Sequence, residues 1–473
     1  MKIHLSVPKG KTLYHVLREK GFMKSAYCGG RGICGKCKVK VEGKEEVSCL
    51  LWGPFEGEVE FEEEEFISEG SILPSIKPSR EKGVGVALDL GTTGIEAAAF
   101  NLESGEFIKS YKILNFQSSF GADVVTRIEE GLKGFYEKER ELLLQSVKTV
   151  LKEFNLPINK VVVASNPVMH HFFLGYPIEG FARYPFKPYR KEATVKKGKE
   201  LGLDEFKDTL FVFPPIVGGF VGGDFLMNIL ALKEEESFLV ADLGTNAEIG
   251  LITENGCLAT SVPAGPAFEG VGLFSGMRAV EGAIYKFFFD GRSFKFFTIG
   301  NVPPKGICAS AYFDIMATLK SLKLIDKEGT FPENPKLFRN MFKTVDGEKA
   351  FVIYEDEDSL IAVTQRDVRK FLLAKGAIYA SISVLIKKGG IPQKAFLSGD
   401  FGTHLNTVTL KNLKVIPSQL PSPKGKGNLS LKGASLLLTE PIEKVEKIKE
   451  DFRLVELATD EEFEREYLAG LEL

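Results

Sequence analysis

At 473 residues the chain is too long for one hydrophobic core and implies two to four domains. Its 44% apolar and 26% charged make-up is that of an ordinary globular protein, and a formal net charge of −3 leaves no basic footprint for nucleic acid. The longest apolar stretch, 210–226, is broken by Pro214, Pro215 and four glycines and excludes a membrane span, while six cysteines, four of them clustered, fit a cytoplasmic protein better than a secreted disulfide framework.

The chain opens on a predicted strand at Lys2–Val7, which lacks the apolar run of a signal peptide. Thr12 is then placed to cap a helix carrying Leu13, Val16 and Leu17 on one face, with Gly21 at its end. Beyond the cysteine loop, residues 38–42 alternate as a strand and Gly43 makes a turn. The Glu62–Glu65 run reads as a solvated face. Residues 1–66 thus form a small β-rich domain, and 67–82, with Gly70, Pro74, Pro78 and four serines, read as a linker.

The remainder alternates apolar strands, glycine-rich turns and helices, as α/β domains do. It contains a repeat: VALDLGTTG at 86–94 returns as LVADLGTNA at 239–247, each copy leading into a second strand (95–100 and 248–252). Two copies imply two similar halves, 83–236 with an insertion and 237–440. A charged helical tail, 441–473, offers Phe452, Leu454 and Leu457 for docking on the body.

Cys28, Cys34, Cys37 and Cys49 follow a C-x5-C-x2-C-x11-C spacing. Four thiolates meet the ligand demand of a [2Fe–2S] cluster, and the interleaved glycines allow the backbone to wrap inorganic sulfur. Zn²⁺ also accepts four cysteines, but a zinc ribbon uses two C-x2-C knuckles and this chain has one. Cys257 and Cys308 are isolated in apolar surroundings and read as core residues, and the His170–His171 pair reads first as a packed turn.

In the repeat, Gly91 and Gly244 let amides approach phosphate oxygens, Thr92, Thr93, Thr245 and Asn246 add side-chain donors, and Asp89 and Asp242 suit Mg²⁺ held through water. A purely structural duplication would leave the same trace.

Residues 1–66 resemble a ferredoxin domain with adrenodoxin-type spacing of its first three cysteines; Cys49 comes earlier than that family's fourth. The duplicated turns resemble the acetate and sugar kinase, heat-shock chaperone and actin superfamily. That resemblance implies an α+β ferredoxin-like (β-grasp) domain followed by duplicated α/β RNase-H-like ATPase halves. It makes 89–93 and 242–246 phosphate loops, and LSGDFG at 397–402, with Gly399 and Gly402, the adenosine loop.

Further stretches, NFQSSFGADVVTRI at 115–128, VGGFVGGD at 217–224, PAGPAFEGVG at 263–272 and SGMR at 275–278, resemble the ATP-dependent reductive activators of corrinoid proteins. Two stretches depart from that family's pattern, 165–171 and 309–311, where threonine and glycine positions are changed. The resemblance implies a cluster that passes one electron to Co(II) in a partner corrinoid protein, regenerating Co(I) for methyl transfer. It implies ATP and Mg²⁺, an electron-donating reductase or ferredoxin, and often a homodimer. Asp89, Asp242 and Asp224 are then the catalytic candidates, with Glu248 and Glu269 behind them. A redox sensor or scaffold that binds nucleotide without turnover, and a metabolite kinase, remain alternatives.

Overall fold

A computed structural model describes the chain except for Met1, Gly21, 23–36, 62–66, Ala122, 266–267, 269–271, Asp358 and 400–404. Cys28, Cys34, Gly402, Glu269 and the Glu62–Glu65 run lie outside the described residues.

Thr12 starts the first helix as its sequence position suggests: its hydroxyl accepts from the His15 amide at 3.3 Å, and Leu13, Val16 and Leu17 of Leu13–Glu19 turn inward. They pack with Leu5, Val7, Val39 and Val59 from a sheet of β1 (Lys2–Val7), β2 (Lys38–Val41), β3 (Lys44–Val47) and β4 (Phe55–Glu60). The strand order is β1-β4-β2-β3, with antiparallel neighbours.

The chain divides into two units, 1–232 with 429–450 and 233–428 with 451–473. Besides the cysteine domain, the first unit holds β5 (Ile67–Glu69), β6 (Val84–Leu90), β7 (Gly94–Asn101), β8 (Phe107–Leu114), β9 (Ile158–Ser165), β10 (Thr194–Lys197) and β11 (Leu210–Phe213). Their order is β10-β11-β9-β6-β7-β8-β5. β6, β7 and β8 form an antiparallel meander, and β9 and β11 join parallel to β6. The central strands are buried on both faces, which explains their unbroken apolar runs.

In the second unit β12 (Phe238–Leu243), β13 (Asn246–Thr253) and β14 (Gly256–Pro263) repeat the meander. Two three-stranded sheets follow, from β15 (Ala283–Phe289), β16 (Phe294–Thr298) and β17 (Gly306–Ile307), and from β18 (Phe342–Val345), β19 (Glu348–Glu355) and β20 (Leu360–Thr364). Then β21 (Lys394–Ser398) and β22 (Lys424–Gly425) join parallel to β12. Three antiparallel strands continued by two parallel ones is the wiring of both large sheets, so the sequence repeat is a repeat of topology.

Two segments differ from the linear reading. The stretch read as a linker is pinned to the sheet: β5 pairs with β8, and the amides of Ile76 and Ser79 donate to Gly105 and Leu102 carbonyls. Its backbone groups find partners, and Ile76 is buried. The last 45 residues serve both units. Helix Leu429–Leu437 belongs to the first, with Gly433 so close to the Met227 backbone that a Cβ would lie 2.0 Å from its carbonyl oxygen. β23 (Phe452–Leu454) joins β14 in the second, where Phe452 and Leu457 are buried. Among the described residues no helix is long and apolar enough to cross a membrane.

Candidate cluster and nucleotide sites

β2 begins immediately after Cys37, and β3 runs into a single 3-10 turn, Ser48–Leu50, that carries Cys49. The turn is tied to the first ligand segment by Ser48, whose amide and hydroxyl both donate to the Cys37 carbonyl, at 2.9 and 2.8 Å. Cys37 and Cys49 are buried and packed with Tyr14 and Val47. Two thiols brought together in an apolar pocket suit a cluster whose remaining ligands come from the 28–34 loop. Leu50 and Trp52, close to Cys49 in sequence, are 61% and 63% exposed. Cys308 is buried and Cys257 partly so, without three metal-ligating partners among the described residues.

The first Asp-Leu-Gly-Thr turn joins β6 to β7. Gly91 is required there, because a Cβ would stand 2.6 Å from the Gly94 carbonyl oxygen. The turn's carbonyls are held from behind. Asn115 donates its side-chain amide to Gly91 O at 3.0 Å and its backbone amide to Thr93 O at 2.9 Å. Arg127, fully buried, donates to Thr92 O. Asn166 Nδ2 donates to the Thr92 hydroxyl at 3.1 Å, while its Oδ1 caps helix Pro167–Leu174 by accepting from Val168 and Met169. Asp89, opposite Glu96 in the β6–β7 ladder, accepts from the Ser430 hydroxyl at 2.8 Å.

Asp224 sits in the first turn of helix Gly223–Ala231 and accepts from the Phe225 amide at 2.7 Å. The approach to this helix is tight, since a Cβ on Gly222 would meet Ser165 O at 2.6 Å and Asn166 Cα at 2.8 Å. Thr92 and the start of the Asp224 helix thus both meet Asn166, in the same unit as Asp89, Gly91 and Thr93.

The second turn joins β12 to β13. It is closed by backbone bonds, Gly244 N to Asn246 O at 3.1 Å and Gly265 N to Thr245 O at 2.9 Å. Asp242 lies opposite Glu248 on one side and Ser398 on the other. Glu248 accepts from Ser261 Oγ at 3.3 Å. Gly399, at φ +83°, follows β21 so closely that its Cβ would lie 3.2 Å from Asp242 Oδ1. The second unit thus gathers Asp242, Gly244, Thr245, Asn246 and Gly399. At the altered 309–311 stretch Ser310 donates to Tyr285 O at 3.0 Å, near the start of helix Ala309–Ser321.

His170 and His171 lie inside the first unit. Both Nδ1 and Nε2 of His170 lack a hydrogen-bond partner amid Tyr176 and Phe213, and burial lowers its pKa to about 3. His171 bonds Pro167 O through Nδ1 at 2.7 Å and accepts from Tyr189 N at Nε2; burial lowers its pKa to about 4. Both are packed residues. Ser430 and Tyr14 escaped the sequence reading, because each acts across a long sequence separation that no local pattern records.

The arrangement defines a class: an iron–sulfur domain joined to a duplicated nucleotide-binding fold. Family models cover it in order, with a 2Fe-2S iron-sulfur cluster binding domain at 1–67, the RACo middle region at 84–236 and the C-terminal ASKHA domain of RACo at 236–473. The corrinoid activation enzyme RamQ of Eubacterium limosum is 31% identical over 431 residues, spanning 85% of this chain and 73% of that protein. The [Co(II) methylated amine-specific corrinoid protein] reductase of Methanosarcina barkeri is 26% identical, spanning 82% and 76%. A solved structure titled reductive activator for corrinoid, iron-sulfur protein shares the fold at TM-score 0.74 and 22% identity, covering 99% of this chain and 96% of that one. The chain belongs to the RACo family.

Proposed function

We propose that this chain is an ATP-dependent reductive activator of a corrinoid protein. The observation that carries the reading is continuity: one chain holds the cysteine domain and both Asp-Leu-Gly-Thr turns, and relatives named for corrinoid activation and Co(II) corrinoid reduction align along most of it. Cys28, Cys34, Cys37 and Cys49 would hold the [2Fe–2S] cluster. When bound, the cluster supplies one electron: reduced cluster and Co(II) give oxidised cluster and Co(I).

The protein's own residues do the rest. Ser48 fixes the spacing of two ligand segments, and the exposed Leu50 and Trp52 offer apolar contact to a partner. In the first unit Gly91, Thr92 and Thr93 present donors to phosphate, and Asp89 and Asp224 supply hard oxygens for Mg²⁺ and for orienting water. In the second unit Gly244, Thr245 and Asn246 do the same beside Asp242, and Gly399 and Gly402 are the glycines assigned to the nucleoside. A reductase or ferredoxin reloads the cluster, the compartment is the cytoplasm, and the working form is a homodimer.

The test is anaerobic purification with iron and sulfide counts, EPR of the reduced protein, and ATP hydrolysis with and without a Co(II) corrinoid protein. About two irons and two sulfides, a rhombic signal and partner-stimulated hydrolysis support the reading. Zinc without sulfide would sink the redox role. A phosphorylated small product would point instead to a kinase, and nucleotide binding without turnover to a sensor or scaffold.

A further inference from the structure

The stretch 115–128 has no ligand-binding role in the reading above, yet it joins two sites. At one end, Asn115 and Arg127 hold the carbonyls of Gly91, Thr92 and Thr93. At the other, the 3-10 turn Phe116–Ser119 receives the cysteine domain, where Tyr14 donates its hydroxyl to the Ser119 carbonyl. Tyr14 is fully buried, and its ring is the one packed against Cys37 and Cys49.

One helical turn on, Arg18 strengthens the same junction. Its guanidinium lies 4.1 Å from the Phe120 ring centre and 4.7 Å from that of Phe135, and Nη1 is 3.5 Å from Glu130. Arg127 stiffens the turn between the two ends, bonding Gln117 Oε1 and Gly121 O at 3.1 Å each. From ligand cysteine to phosphate turn the path is Cys37 and Cys49, Tyr14, Ser119, then Asn115 and Arg127, then residues 91–93.

The path has a physical means of transmission. A peptide is planar, so the carbonyl of Gly91 and the amide of Thr92 turn together, as do those of each following pair. Phosphate drawing on the amides of the turn rotates the carbonyls that Asn115 and Arg127 hold. A one-electron change beside Tyr14 acts on the other end.

We propose that the 115–127 segment, with Tyr14 docked on it, couples the cluster to the first phosphate turn, so that redox state and nucleotide occupancy bias one another. Tyr14 is a positioning residue in this scheme. The inference rests on the functional reading above, since it needs both groups bound to one chain. Linkage makes the coupling reciprocal: the change in nucleotide affinity on reduction equals the change in reduction equilibrium on nucleotide binding.

The experiment uses the full chain with its cluster intact and a non-hydrolysable ATP analogue, measuring Kd for the oxidised and reduced protein and the midpoint potential with and without analogue. About a fivefold difference in Kd is expected, matched by a shift of about 40 mV at 59 mV per tenfold for one electron. Tyr14→Phe keeps the ring on the cysteines and removes the hydroxyl. It should bring the difference below twofold while leaving EPR signal intensity and oxidised-state Kd unchanged. Arg18→Met, which retains a long apolar stem, should reduce the coupling in the same sense and serves if Tyr14→Phe fails to fold. Equal Kd values in both redox states of the native chain, or full coupling in both variants, would overturn the inference alone. Absence of cluster or of analogue binding would overturn the functional reading with it.

Discussion

The two Asp-Leu-Gly-Thr turns share a sequence and a strand wiring and are met by different neighbours. The first is gripped by side chains that arrive from elsewhere in its unit: Asn115, Arg127 and Asn166 on the turn, Ser430 on Asp89. The second is bonded through its backbone to Gly265 and set against Gly399. The duplication kept the strand–turn–strand element, while the residues seen beside each copy differ. The difference teaches that a repeated motif can be carried in unlike surroundings, so each turn has to be tested by itself.

The strongest way to break this comparison is to neutralise each aspartate in turn. Asp89→Asn and Asp242→Asn should each lower ATP hydrolysis about a hundredfold or more, the usual scale for losing a charge-stabilising group. Steady-state phosphate release checks this, and an aspartate that can be neutralised without loss has no part in turnover. Next in size is Gly91→Ala, whose Cβ would strike the Gly94 carbonyl; analogue affinity should fall at least tenfold. Gly399→Ala puts a Cβ 3.2 Å from a carboxylate oxygen at positive φ, and calorimetry should show a milder loss of about three- to tenfold.

Titration sharpens the contrast between the units. His170 and His171 have pKa values lowered to about 3 and 4 by burial, so the unfolded chain takes up protons below about pH 6.5 that the fold refuses. First-unit stability should therefore fall as pH drops from 6.5, and His170→Phe should remove about 2 kcal/mol of that loss at pH 5. In the second unit Lys375 is buried with its ammonium on the Gly470 and Glu472 carbonyls, both at 2.5 Å, and desolvation lowers its pKa to about 7. Its loss of stability comes as pH falls from 10.5 towards 7. Hydrogen exchange read separately on the two units should show the two windows. The smallest effect belongs to Ser430→Ala, which removes one hydroxyl from Asp89 and should weaken Mg·ATP binding two- to fivefold.

Much of this was legible in the residues. The Thr12 cap, the β1 and β2 strands and the repeated turns are local patterns, governed by hydrogen bonds and periodicity over a few positions. The repeat also exposed the duplicated topology, because a strand–turn–strand with Gly at the bend survives as a string of letters. What stayed hidden is non-local. Nothing near Ser430 marks it as the partner of Asp89, 341 residues away, and nothing in Leu13–Glu19 separates the core-facing Leu13 from Tyr14, whose hydroxyl serves another domain. The strand Ile67–Glu69 was obscured by the prolines and serines after it, although an edge strand needs only one set of backbone partners.

The return of residues 429–450 to the first unit has a consequence for biosynthesis. Residues 1–232 of that unit are made well ahead of the helix packed on Met227 and the hydroxyl that meets Asp89, which follow about 200 residues later. At 5–20 residues per second the unfinished unit waits roughly 10–40 s with an apolar face uncovered. A ribosome that stops anywhere between the two stretches releases a first unit without its last helix, so an early stop in this gene yields a chaperone client rather than a working half.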